Sequence, residues 1–167
     1  MIQDILAFTR PKLVALRCLM HVGLATAIVL GPSSYWWISL GVYFWFASIG
    51  NSVGQHRYFA HKTFETNKFW ERVLLLSATL ASISSVFGYI VTHREHHKHT
   101  DDELDPHSPW HMSLWRSWSL DLTDTGRWNL RNAKDWIRNK DVMNAHNYFF
   151  AYILAYNILL ALIDPWL

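Results

Sequence analysis

His93, His96 and His97 stand at i, i+3 and i+4, and at about 100° per residue of an α-helix they fall within one arc of roughly 100°. Three imidazoles on one face can converge on one centre, and neutral imidazole is the commonest side-chain ligand for transition metals. A second pair, His56 and His61, lies upstream. Five residues apart, these two are splayed by about 140° on an ideal helix. Either the helix ends between them or each serves a different metal of a two-metal centre. The single cysteine, Cys18, excludes a thiolate site by count, so a metal here takes nitrogen and oxygen ligands. Neither spacing is His-Glu-x-x-His, which sets a zinc-protease pattern aside.

The other histidines carry less. His99 points away from the arc of the second group and reads as surface. His21 lies inside an apolar run, where an internal hydrogen bond is the simplest role. His111 and His146 match no ligand position, and Asn144, His146 and Asn147 read as an interfacial cap on the last helix. After the second group come Asp101, Asp102, Glu103 and Asp105, close enough to accept the outer N–H of ligand imidazoles. The competing reading is a solvated acidic turn fixed by Pro106.

The elements that must carry these residues are apolar. Of 167 residues, 51% are hydrophobic and only 17% charged, which points to a single domain with lipid as its solvent. Basic and acidic residues nearly balance, 15 against 13, with no basic stripe or acidic tail, so no nucleic-acid partner is expected. No charged residue stands between Arg17 and Arg57, and the run is broken once, at Gly31-Pro32-Ser33-Ser34. This predicts an antiparallel pair of membrane helices at about 13–30 and 35–54, each close to the length that crosses a core of roughly 30 Å. A third span is expected at about 143–163. The uncharged window 73–92 separates the two histidine groups. If it crossed the bilayer the groups would lie on opposite faces, so it is read as one interfacial or re-entrant helix. All 15 basic residues then fall on one side, which puts the histidines on the cytosolic face. The expected fold is all-α, a multi-pass integral membrane protein with a cytosolic metal site. A cleaved signal peptide is not expected.

Some of the motifs are more specific than spacing alone. His56-Arg57-Tyr58-Phe59-Ala60-His61 resembles the first histidine box, H-R-x-x-x-H, of the membrane-bound fatty acid desaturases of the stearoyl-CoA (delta-9) type. His93-Arg94-Glu95-His96-His97 is similar to their second box, H-R-x-H-H, and Thr100-Asp101 through Asp105-Pro106-His107 follows their T-D-x-x-x-D-P-H continuation. The resemblance implies two iron ions held by His56, His61, His93, His96 and His97, with Asp101, Asp105 and His107 behind them. It further implies O2 as co-substrate, cytochrome b5 or a ferredoxin as electron donor, a lipid or acyl-CoA substrate, and a cis double bond as product. No catalytic residue beyond the metal centre is implied, because an unactivated methylene offers no acidic proton. Trp45, Phe46, Tyr58 and Phe59 are candidate walls of an acyl tunnel, although ordinary core or lipid-facing packing is the simpler role for any one of them.

The family's third box, H-x-x-H-H, is not reached before Leu167. The domain is therefore expected to be incomplete at its C-terminus, and the isolated chain inactive unless a second polypeptide supplies the remaining ligands. Two other readings stand beside the desaturase: a histidine-box hydroxylase of sterols, carotenoids or alkanes, and a truncated non-catalytic remnant or split subunit.

Overall fold

Two apolar helices open the computed structural model, which describes residues 10–31, 35–106, 108, 110–111, 113 and 129–163. They are α1 (Arg10–Leu30) and α2 (Tyr35–Trp45). Gly31 follows α1 with φ +81°, a left-handed conformation that glycine adopts without penalty. The expected end of the second helix near residue 54 is not observed. Beyond Trp45 the helix continues to Ala60, but its hydrogen bonds widen to i→i+5 over Phe46–Ala60. The Ser52 hydroxyl follows the same wide step, donating to Ala47 O at 3.2 Å. Such π-wound stretches are rare and concentrate at functional sites.

The window 73–92 is two helices rather than one. α3 (Lys68–Leu80) leads away from the end of the π segment and α4 (Val86–Lys98) returns to it. The break has a local cause. Ser82, Ser84 and Ser85 sit together, and serine hydroxyls compete with helical backbone bonds. Ser82 takes φ +59° and donates to Leu80 O, while Ser85 caps α4 by accepting from Gly88 N–H at 3.1 Å. Gln55, fully buried, holds the turn in place: its amide donates to Ala78 O at 3.2 Å and Ser84 O at 2.9 Å. At the start of α3, Asn67 accepts from Trp70 N–H at 3.1 Å. Asn67→Ala is expected to cost about 1 kcal/mol of stability, read as a lowered denaturation midpoint.

A single turn at Leu130–Ala133 precedes α5 (Lys140–Asn147) and α6 (Phe149–Ile163). The last helix thus begins three residues before the expected 143 and bends by 72° between α5 and α6. The cap also differs from expectation. Asn139 caps α5 by accepting from Asp141 and Val142 N–H, whereas His146 lies buried in the last turn, its Nδ1 2.6 Å from Ser85 Oγ.

The described residues are all-helical, with no strand among them. The core joins the π segment to α3, α4 and α5 through Phe59, Ala78, Val86, Ile90, Trp136 and Val142. Phe59 and Tyr58, read above as tunnel walls, belong to this core, and Trp45 instead donates its indole N–H to Ser77 Oγ at 3.0 Å. Phe46 does line a groove of about 740 Å³ bordered by α1, α2 and α6. Among the described residues, no single helix is long and apolar enough to cross a membrane; the bent pair α5–α6 reaches the length and composition together.

Candidate metal centre

His56 and His61 sit at the end of the π segment, and its winding decides their geometry. Where hydrogen bonds run i→i+5, residues five apart stack on one face: His61 N–H donates to His56 O at 3.1 Å, and the two rings lie 4.7 Å apart. The splay expected from an ideal α-helix is therefore absent. α4 delivers His93 and His97 one turn apart, with ring centroids separated by 4.6 Å.

The two groups meet. One ring nitrogen from each of His56, His61, His93 and His97 lies within 4.8 Å of the others. His93 is the hub, its Nε2 at 3.0 Å from His61 Nε2 and 3.1 Å from His97 Nε2. Tyr89 stacks on the His93 ring at 4.9 Å and 18°, which fixes the ring plane. His96 stands apart. Its Nδ1 donates to Asp105 Oδ1 at 2.8 Å, and its ring lies 5.6 Å from His97. Asp105 is buried, and its other oxygen accepts from Asp101 N–H at 2.8 Å.

The remaining sequence candidates divide in the same way. Asp101, at φ +62°, takes part through its backbone, and its carbonyl accepts from His111 Nε2 at 3.2 Å. His107 lies outside the described residues. His99 donates to Asp102 at 2.9 Å, and His21 donates Nδ1–H to Arg17 O at 2.7 Å, the internal hydrogen bond anticipated for it.

The electrostatics favour neutral rings. Burial, reinforced by the neighbouring histidines, pushes His93 down to about 3. His56 is lowered by burial and then by His97 and Arg57, and His61 by burial and then by His56, His97 and Arg94. A neutral imidazole offers the lone pair that a metal requires. The spacing fits as well: at a metal–nitrogen bond of about 2.1 Å, two ligands at right angles stand about 3.0 Å apart.

A stability prediction follows for the metal-free protein. The unfolded His93 takes up a proton near 6.5 and the folded one only near 3. Between those values the unfolded state holds more protons, so stability rises with pH. In chelator, the melting temperature should fall as pH is lowered from 6.5 toward 3 and level off above 6.5. A flat profile through that window would contradict neutral, crowded rings.

Sequence reasoning missed the groups that hold the two boxes together. Arg94 donates to Ala60 O at 2.6 Å and Phe59 O at 3.2 Å and pairs with Asp135, while Trp136 donates its indole N–H to Phe59 O at 2.9 Å. Burial alone would raise the Asp135 carboxyl, but hydrogen bonds from Arg94 and Lys62 hold it below the ordinary carboxylate range. Arg94 lies inside the H-R-x-H-H motif, whereas nothing in the pattern of residues 132–136 marks them. A second network joins the π segment to α3: Tyr58 donates to Glu71 at 2.8 Å, and Lys68 and Asn139 reach the same carboxylate.

Comparison with known proteins finds similarity to acyl desaturases. The chain is 29% identical over 154 residues to the sn-1 stearoyl-lipid 9-desaturase of Anabaena variabilis, covering 88% of this chain and 56% of that protein. It is 40% identical over 100 residues to Delta-9 acyl-lipid desaturase 2 of Arabidopsis thaliana, covering 58% of this chain and 32% of that protein. This is a desaturase-like chain. A match to the stearoyl-CoA desaturase of Sus scrofa extends over 94% of it, at 27% identity, and over 47% of that relative. The desaturase-like chain thus spans about half or less of the length of these curated relatives. No protein-family model matches it, and no solved structure does.

Proposed function

We propose that the protein is an O2-dependent acyl desaturase whose His56, His61, His93, His96 and His97 are ligands of a two-iron centre. The observation that carries the reading is the meeting of four imidazoles from two separate boxes. Such a ligand set suits iron, which supplies the O2 chemistry that abstracts hydrogen from an unactivated methylene. The chain's own residues bind and orient. His56, His61, His93 and His97 would hold metal through ring nitrogens that lie within 4.8 Å of one another. Asp105 fixes the His96 tautomer by accepting its Nδ1–H, leaving Nε2 as the ligand nitrogen beside His97. Asp101 and His107 complete the proposed surroundings.

Membrane insertion belongs to the same proposal, with the boxes facing the cytosol. It is supported by apolar side chains exposed on α1, α2 and α6, among them Val29 at 84%, Trp37 at 78% and Leu162 at 79%. Water-exposed surfaces of this kind are costly, and lipid removes the cost. The acyl chain of a lipid or acyl-CoA is the proposed substrate, and cytochrome b5 or a ferredoxin the proposed electron donor.

Two measurements test the reading. Purified in detergent and loaded anaerobically, the protein should retain iron that His56→Ala and His93→Ala variants lose; equal retention refutes the site. Expressed with an electron donor and with a polypeptide that supplies the remaining histidine box, it should yield acyl chains lighter by two hydrogens on mass spectrometry. Products that gain oxygen instead would assign it to the hydroxylases.

A further inference from the structure

We propose that Asp135, acting through the Arg94 guanidinium, is a positioning residue for the metal centre that clamps the end of the first histidine box onto the helix carrying the second. The proposal rests on the metal reading above and assigns a role to Asp135, a residue outside both boxes.

A helix leaves its last C=O groups without intrahelical partners. At the end of the π segment the backbone satisfies three of them: His61 N–H takes His56 O, Thr63 N–H takes Arg57 O and Lys62 N–H takes Tyr58 O. Phe59 O and Ala60 O, the two carbonyls directly before His61, are taken by side chains from elsewhere. Arg94 donates to both, and Trp136 donates to Phe59 O. Arg94 is the residue after His93. A single guanidinium therefore ties the chain entering His61 to the chain leaving His93, whose Nε2 atoms are 3.0 Å apart.

Asp135 fixes that guanidinium. Arginine has five N–H donors in a rigid fork. Two go to the box-one carbonyls and one to Asn132 O at 2.6 Å; the other two form a bidentate pair with Asp135 at 2.9 and 3.1 Å. Lys62, immediately after His61, closes the circuit from the other side. Its ammonium lies 2.9 Å from Asp135 and 4.9 Å from the centre of the Trp136 ring. The short segment bearing Asp135 is itself anchored to α4, because the Asn132 amide donates to Val91 O at 3.2 Å and to Glu95. Ligand geometry is sensitive to fractions of an ångström, and partners behind the ligands characteristically change metal affinity by about 10–100-fold when removed.

The test uses the whole chain in detergent with Co(II), whose visible spectrum reports ligand geometry, and compares Asp135→Ala, Asp135→Glu and Asp141→Ala. Asp141 pairs with Arg72 and Lys68, away from the histidines, and serves as the surface ion-pair control. The expected result is Co(II) affinity weakened about 10–100-fold and an altered visible band in Asp135→Ala, with partial recovery in Asp135→Glu and wild-type behaviour in Asp141→Ala. A role confined to stability would lower the melting temperature of Asp135→Ala while leaving the Co(II) spectrum and affinity unchanged, and that outcome overturns the proposal alone. Wild-type protein that binds no Co(II) overturns the metal reading and the proposal with it. If Asp135→Ala does not fold, the isosteric Asp135→Asn, which keeps one acceptor for Arg94, is measured under the same criteria.

Discussion

Replacing His93 by alanine is expected to remove tight metal binding from this protein, while His99→Ala leaves it intact. His93 is the only one of the four clustered imidazoles whose Nε2 approaches two others, His61 at 3.0 Å and His97 at 3.1 Å. Its ring also lies 4.8 Å from His56 and stacks on Tyr89. Deleting it removes a proposed ligand and also the group through which the two boxes meet. The loss in affinity should exceed the roughly 100-fold upper range seen when an outer partner is removed. His99 lies just beyond the last turn of α4 and is occupied with Asp102 at 2.9 Å, and its loss is expected to leave the cluster unchanged. Competition with a chelator, monitored by metal content, compares the two variants. Binding by His93→Ala within a few-fold of wild type would remove His93 from the centre. Circular dichroism of both variants separates a ligand effect from a collapse of α4.

The second box was legible from spacing because α4 is an ordinary α-helix there, so the roughly 100° arc of His93, His96 and His97 translates directly into a shared face. Even so, an arc does not specify where a ring nitrogen points, and Asp105 turns His96 toward itself. The first box was not legible in the same way. The expected splay of His56 and His61 assumed α-winding, and no residue pattern announces a change to i→i+5 bonding; the change becomes visible only with the close packing of Gly50 and Gly54 against α3. The return of α3 and α4 was half legible. That the window 73–92 must bring both boxes to one side followed from the histidines, whereas the break depended on three serines whose competition with the backbone is decided locally. Residues 132–136 were illegible because their bonds run to Phe59, Ala60 and Arg94, distant in sequence, and no periodicity records such a pairing.

Gly50→Ala is expected to be among the most destabilising single substitutions in the helical scaffold, whereas the chemically identical change at Gly23 or Gly41 should stabilise it. A Cβ on Gly50 would lie 2.5 Å from Ser77 O and 2.9 Å from Ser77 C, both backbone atoms of α3, and 3.3 Å from Ala81 Cβ. No side chain can rotate aside, so the π segment and α3 would have to separate. Overpacking a core typically costs about 1–3 kcal/mol, and a backbone-to-backbone clash belongs at the upper end or beyond. Gly54→Ala should be milder, its nearest atoms being Ile49 O and Leu74 O at 3.1 Å. At Gly23 and Gly41 nothing lies within 4 Å, so alanine adds helix propensity without a clash, worth about 0.5–1 kcal/mol. Parallel denaturation of the four variants reads the sign at each position. A Gly50→Ala midpoint equal to wild type would mean that the π segment does not pack on α3 as described. The consequence reaches the histidines, because separating these helices moves the end of the π segment. A folded fraction of Gly50→Ala should therefore bind metal more weakly than wild type, although the substitution lies one turn or more from every proposed ligand.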